Sequence, residues 1–258
     1  MKAKTAVIKI GTNAITNEDG SLNMDILSDF VRQISEAKKD HNVLLVSSGA
    51  MGAGMAVLNR ELKYDDVTNR QLRAVVGQVK LMEIYSGLFK EHGVTVAQML
   101  ATRQDFENRN HFLNTKNCIQ SLFNEDIIPI MNENDFVCID ELMFTDNDEL
   151  AGIVSKMLFA DVFLILSSID GVYDEKGVVI PEFDFDQEIP ENIITEDKSS
   201  FGKGGMETKF KMAQEVARHG TGVYIANSSA KDVVVRVLNG EHIGSYFRPK
   251  KKSDKSFL

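Results

Sequence analysis

The chain has 258 residues, of which 43% are hydrophobic, 26% charged and only four proline, so it is long enough for a substantial core and has the composition of a soluble globular protein. Its 29 Lys and Arg face 38 Asp and Glu, a formal net charge of −9, which implies no broad basic surface and argues against a nucleic-acid duplex as partner. Cys118 and Cys138 are too few for a disulfide framework or a metal site, and the five histidines form no H-x-x-x-H pair. No apolar run approaches the ~20 residues of a membrane span, and none reads as an export signal, so the cytoplasm is the expected location.

Short apolar strands alternate with helical periodicities. "TAVIKI" reads as a strand, followed by a helix whose face is marked by Leu27, Phe30, Ile34 and Ala37, with Asn23 placed to cap it. "NVLLVSS" is a second strand, ended by Gly49, Gly52 and Gly54. Leu72, Val75, Val79 and Met82 begin a helix that continues through Tyr85 and Phe89. "GVTVAQM" and "DIIPIMN" are strands, with a helix around Ile119 and Leu122 between them. After the turn-rich "ENDFVCIDELMFTDNDE", a stripe of Leu150, Ile153, Val154 and Met157 predicts another helix, and "DVFLILS" a buried strand. Residues 173–200 form a long polar segment that suggests a hairpin or a lid. Met206 to Ala217 is a helix, "GVYIAN" a strand, and "VVVRVL" with "HIGSYF" a late strand pair expected to close the sheet edge. This alternation predicts an α/β fold: a mainly parallel sheet covered on both faces, with ligands held beyond the carboxyl ends of its strands.

Three glycine-bearing turns follow strands. In "KIGTNAI", Lys9 alternates with Ile8 and Ile10, which places it either on a solvated face or beside the loops that gather at the strand ends. In "LVSSGAMGAG", small residues let backbone N–H groups approach an anion, but the glycines reverse the spacing of the dinucleotide fingerprint. "GKGGMETK" lacks the Walker A pattern. Met206, Phe210, Ala213 and Ala217 start a helix near Gly205, so Lys209 falls in its first turns, where the macrodipole disfavours a cation. An anion shared between the helix terminus and the lysines is one way to remove that conflict; the other reading is a solvent-exposed lysine that costs a few tenths of a kcal/mol. The carboxylate-rich run after "IIPIM" offers turn residues and, in Asp146, a helix cap supported by Glu149; Asp148, if it lies beside two phosphate-seeking lysines, would orient both without itself attacking anything. No Ser–His–Asp or Cys–His signature stands out.

Together, "KIGTNAI", "VSSGAMGAG", "LRAVVGQVKLMEIY", "AQMLATRQDFENRNHFLNTKN", "IIPIMNENDFV", "TDNDELAGIVS", "DGVY" and "GKGGMETK" resemble the glutamate 5-kinase branch of the amino acid kinase family, in family order from residue 7 to residue 209. The resemblance implies a three-layer α/β/α sandwich in one kinase domain, residues 1–250, followed by a basic tail at 251–258. Residues 1–160 would hold the acceptor and residues 161–250 the ATP. It implies ATP-dependent phosphorylation of the glutamate γ-carboxylate to L-glutamyl 5-phosphate, the first step from glutamate to proline, with Mg²⁺ carried on the ATP phosphates and no direct protein ligand to it. By the same resemblance Lys9, Lys209 and Asp148 carry the chemistry, and Ser48, Asp135 and Asn147 hold glutamate. Lys9, Gly11, Ser167, Ser168, Lys203, Gly204, Gly205, Met206, Glu207, Thr208 and Lys209 contact ATP. Proline feedback inhibition and a homodimer or homotetramer are also implied.

The chain departs from that pattern at Ser167-Ser168, where the family commonly has Thr-Asp, at Lys203, which replaces a threonine, and at Thr145, which replaces a glycine. It also stops before the PUA domain of longer members. Other kinases of the same fold, acting on acetylglutamate or UMP, are disfavoured by "NENDFV" and "TDNDEL"; an ATP-binding module without catalysis is the rival from another class. The glutamate carboxylate, with a reference pKa near ~4.3, is already a nucleophile at neutral pH. The task left to the protein is to neutralise charge as one anion approaches another.

Overall fold

The computed structural model describes residues 3–17, 19–137, 146–189 and 205–251. β1 (Lys4–Ile10) lies at the centre, parallel to β2 (His41–Ser47) on one side and to β5 (Val162–Ser167) on the other. Outward from β2 come β4 (Ile128–Glu133) and β3 (Val96–Ala101), both parallel. Outward from β5 come β7 (Gly222–Asn227), parallel, then β8 (Ser245–Phe247), antiparallel, and β6 (Glu182–Phe183), which runs parallel to β8. The chain thus fills one half of the sheet after β1 and the other half from β5 onward. β1 marks the switch point, where crevices open beyond strand ends.

Alternation along β1 divides the core. Ala6, Ile8 and Ile10 face α2 (Met24–Ala37), α4 (Asp66–Glu91) and α9 (Val233–Leu238). Val7 faces the opposite layer, formed by α6 (Arg109–Asn124), α7 (Asn147–Leu158) and α8 (Met206–Arg218). The expected three-layer sandwich is therefore present. Helices cover both faces of β1, so Lys9, two residues from Val7, has no solvated face available. Shorter helices α1 (Thr12–Ile15), α3 (Ala50–Val57) and α5 (Gln104–Glu107) complete the connections. Asn23 caps α2 as expected, its side chain accepting from the Ile26 N–H at 3.1 Å.

Three expectations are corrected. "VVVRVL" is not a strand but α9: Val233, Val234, Val237 and Leu238 recur at helical spacing and are buried, so packing overrides the preference of β-branched residues for strands. The sheet edge is closed by β6, not by the late segment, because β8 lies inside it. Helix α4 starts earlier than the Leu72 stripe, at Asp66, and Leu72, Val75 and Val79 are exposed. Its inner face is instead Ala74, Gly77, Gln78, Leu81, Tyr85 and Phe89. The polar segment after Tyr173 contains the expected hairpin, a turn closed by the Tyr173–Val179 bridge, while residues 190–204 lie outside the described residues.

Two packing details position the cleft. A Cβ on Gly77 would come 1.7 Å from the Ala50 carbonyl oxygen, and one on Gly54 1.7 Å from that of Arg73, so α3 and α4 touch backbone to backbone. Gly54 therefore serves helix packing, not the anion approach that its glycine-rich context suggested. Gly77→Ala is expected to force these helices apart and lower stability by about 1–3 kcal/mol, read as a drop in urea midpoint. An unchanged midpoint would contradict the close approach. On the other side, Phe183, Phe210 and Phe247 form a ring cluster with centroids 4.9–5.0 Å apart. Each such pair contributes about 0.5–1.5 kcal/mol beyond burial. The cluster ties α8 to the β6–β8 edge, one residue from Lys209.

Candidate active site

Three adjacent parallel strands end side by side, and the residue after each enters one cleft: Gly11 after β1, Ser48 after β2 and Ser168 after β5. The Ser48 N–H donates to the Ile10 carbonyl at 3.1 Å, holding the first two loop starts together. Thr12 and Asn13, at the start of α1, line the same cleft.

Lys9 is 6% exposed and its Nζ lies 2.6 Å from Asp148 Oδ1. Lys209, in the second turn of α8, approaches the other oxygen, Oδ2, at 3.7 Å. Asp148 is 1% exposed and sits in the first turn of α7, where the helix terminus favours a negative charge. One carboxylate thus bridges two ammonium groups contributed by different layers. Burial alone would raise the Asp148 pKa, but the charges of Lys9 and Lys209 outweigh it and hold the carboxyl below its ordinary value. A Cβ on Gly11 would stand 3.3 Å from Lys9 Nζ, so the glycine keeps room around that ammonium. The awkward position of Lys209 near a helix start is met here by Asp148. The N-terminus of α8 itself carries no side-chain cap.

Asp146 caps α7, its Oδ1 accepting from the N–H groups of Asp148 and Glu149 at 2.9 and 3.1 Å. Glu149, in the same first turn, is paired with Arg103 at 2.7 Å. Asp146 also lines the cleft, and its Oδ2 is buried without a hydrogen-bond partner among the described residues. Burial first, and the neighbouring Asp148 charge second, push its pKa up to about 6 from 3.8. The folded form therefore binds more protons between these values. The stability this group contributes is present below pH 3.8 and is lost as pH rises through about 6. Asp146→Asn keeps the capping oxygen but not the charge. Between pH 5 and pH 7.5 the variant is expected to gain about 1 kcal/mol on the wild type in urea titrations. No pH-dependent gain would contradict this reading of Asp146.

Asn147 sits beside these carboxylates. Its Nδ2 donates to Ser48 Oγ and to Asn132 Oδ1, both at 2.9 Å, and its Oδ1 is buried without a partner among the described residues. Asn132, at the end of β4, donates in turn to Gln78 Oε1 at 2.8 Å.

The cleft therefore gathers Lys9, Gly11, Ser48, Asn147, Asp148 and Lys209 of the expected site residues, together with Ser167 and Ser168. Ser167 is buried and Ser168 exposed. Asp135 does not line it; this residue lies on the turn after β4, 3.7 Å from Arg70. Met206 points into the core with 1% exposure, because the helical stripe that it starts faces the sheet. Glu207 is exposed and pairs with Lys211 at 2.5 Å, and Gly205 and Thr208 do not line the cleft. Lys203 and Gly204 lie outside the described residues, as does the tail beyond Lys251. Sequence reasoning missed Thr12 and Asn13, though they directly follow Gly11, and took Asp146 only as a cap. It gave Asn132 and Gln78 no role in the site, and no local signal marks them, since their partners are distant in sequence.

The amino acid kinase family model matches residues 4–227. A glutamate 5-kinase of Bacteroides thetaiotaomicron is 42% identical over 237 residues, covering 90% of this chain and 66% of that relative's length, so the chain spans just under two thirds of it. Glutamate 5-kinases of Alkaliphilus metalliredigens and Clostridium acetobutylicum are 34% and 37% identical, with coverage of 96% of both chains in the first case and 95% of both in the second. The UMP kinase of Ureaplasma parvum superposes with a TM-score of 0.65 at 16% identity, over 96% of this chain and 97% of that one, a likeness of fold. With its central switch-point strand, its two-layered helical cover and a match over most of its length, this chain belongs to the amino acid kinase family.

Proposed function

We propose that this chain transfers the γ-phosphoryl group of ATP to the γ-carboxylate of L-glutamate, giving L-glutamyl 5-phosphate and ADP, as the first step of proline biosynthesis from glutamate. The observation that carries this reading is the bridge of Lys9 and Lys209 by Asp148, at 2.6 and 3.7 Å, in the cleft beyond β1. Two ammonium groups held by a buried carboxylate are preorganised for an anionic transition state and need no reorganisation when charge shifts. Asp148 keeps its pKa low and its oxygens occupied, so it orients the lysines and does not abstract a proton.

Glutamate and ATP approach from the two halves of the domain. Ser48 and Asn147, from residues 1–160, suit the polar ends of an amino acid; Asp135, on the turn after β4, joins them by the family resemblance. Ser167, Ser168 and Lys209, from residues 161–250, suit the nucleotide, with Gly11 leaving room for phosphate beside Lys9. The N–H groups of Met206, Glu207 and Thr208, at the start of α8 where Gly205 supplies no side-chain cap, suit the phosphates. The carboxylate attacks phosphorus in line, Lys9 stands beside the moving phosphoryl group, and Lys209 compensates the leaving ADP. A Mg²⁺ ion carried on the ATP phosphates would add charge compensation there, and the Asp146 Oδ2 would suit its water shell.

Feedback by proline belongs to the same reading and rests on the family resemblance alone. A homodimer or homotetramer is supported by the exposed apolar residues Leu72, Val75 and Val79 on α4 and Leu100 on the edge strand β3. A cytoplasmic location accords with the lack of any helix long and apolar enough to cross a membrane among the described residues.

The direct test is ADP release measured with ATP and Mg²⁺ against a panel of glutamate, acetylglutamate and UMP. Glutamate-dependent release well above the other two supports the assignment. Preference for acetylglutamate or UMP, or release with none of the three, overturns it, the latter in favour of a nucleotide-binding module.

A further inference from the structure

We propose that Gln78, a residue of α4 that does not line the cleft, is a positioning residue for the acceptor substrate: it sets which way the Asn147 amide faces. The inference rests on the glutamate reading of the site and adds a residue to it.

Gln78 is the one amide on an inner helix face otherwise made of Ala74, Gly77, Leu81, Tyr85 and Phe89, and it is 9% exposed. A polar group in such a place is costly unless it is paired. Its Oε1 accepts from Asn132 Nδ2 at 2.8 Å. Asn132, itself 4% exposed, is then fixed from both ends. Its donor side faces Gln78, and its Oδ1 accepts from Asn147 Nδ2 and from the Glu133 N–H, each at 2.9 Å. Asn147 in turn spends both N–H groups on Asn132 and Ser48, which leaves its Oδ1 as a buried acceptor without a partner among the described residues, on a residue that lines the cleft. Three amides, from α4, β4 and α7, thus point their dipoles in one sequence and end on an acceptor.

That acceptor discriminates by chemistry. The α-ammonium of an amino acid brings N–H donors to it, whereas phosphate oxygens bring none and are repelled. Without an acceptor at position 78, Asn132 has two alternatives. It keeps a buried N–H unpaired, or it turns its amide over and sets donors against those of Asn147 and Glu133. Either outcome loosens the Asn147 amide and weakens the acceptor that it offers.

The test compares Gln78→Met, which keeps the length but removes the acceptor, with Gln78→Glu, which presents an oxygen whichever way the side chain turns. KM for glutamate and for ATP, kcat and melting temperature are measured on the whole chain. Gln78→Met is expected to raise the glutamate KM at least tenfold and to move the ATP KM less than twofold, while Gln78→Glu keeps the glutamate KM within threefold of wild type. If Gln78→Met does not fold, Gln78→Leu is read in its place. An unchanged glutamate KM in the apolar variant overturns the proposal. So does a parallel rise in both KM values, or a Gln78→Glu as impaired as Gln78→Met. A wild-type chain that does not phosphorylate glutamate would bring down the functional reading as well; any of the other failures brings down Gln78 alone.

Discussion

Lys9→Ala is expected to lower kcat for glutamate phosphorylation by about 100- to 1000-fold, the range found when one preorganised electrostatic donor is removed. Lys9 is nearly inaccessible and contacts Asp148 at 2.6 Å, so no surface cation can take its place. Asp148 then retains only Lys209, at 3.7 Å. Lys209→Ala is expected to act to a similar extent, and through the same carboxylate the two losses should be far from additive. The sheet and both helical layers do not depend on either ammonium, so far-ultraviolet circular dichroism should match the wild type. Turnover within tenfold of wild type in either variant would contradict the proposed role.

Asp148→Asn is expected to have the broadest effect, on stability as well as on activity. It leaves two ammonium groups, each less than one-tenth exposed, without the carboxylate that bridges them. Breaking a buried pair from one side costs about 3–5 kcal/mol, because the desolvated partner keeps its charge. Asp146 softens the loss. Its pKa is raised in part by the Asp148 charge, so without that charge it ionises at lower pH and partly replaces the missing counterion. ATP should do the same, its phosphates neutralising the lysines. Thermal unfolding should therefore show a lower melting temperature in the variant and a larger rise on adding ATP than in the wild type. A melting temperature equal to wild type, or no added benefit from ATP, would count against the bridged-lysine account.

The layer order and most elements were legible because apolar spacing changes from two to between three and four wherever strand gives way to helix. The failures have specific causes. α9 is rich in valine, and local preference for strand was overridden by burial of one helical face against α2 and the sheet. In the first half of α4 the apolar stripe Leu72, Val75 and Val79 is exposed, whereas the buried residues there are Ala74, Gly77 and Gln78, small enough at Gly77 to allow the backbone contact. At the site, Lys9 was legible as a lysine out of place in a strand, but its direction became certain only once helices were seen on both faces. The two lysines and Asp148 come from elements spread over most of the chain, and family resemblance, not spacing, drew them together. The doubled role of Asp146, and the chain of amides from Gln78 to Asn147, depend on which groups are left unpaired after folding, and no linear pattern carries that.

The central claim is that a carboxylate attacks the γ-phosphorus in the cleft of Lys9, Lys209 and Asp148. Its product is an acyl phosphate, which hydroxylamine traps as a hydroxamate. Incubation of the protein with ATP, Mg²⁺, glutamate and hydroxylamine should yield γ-glutamyl hydroxamate in step with ADP, and Lys9→Ala should lower both together by about 100- to 1000-fold. ADP formed without hydroxamate, or hydroxamate formed equally well by the Lys9→Ala variant, would contradict the account.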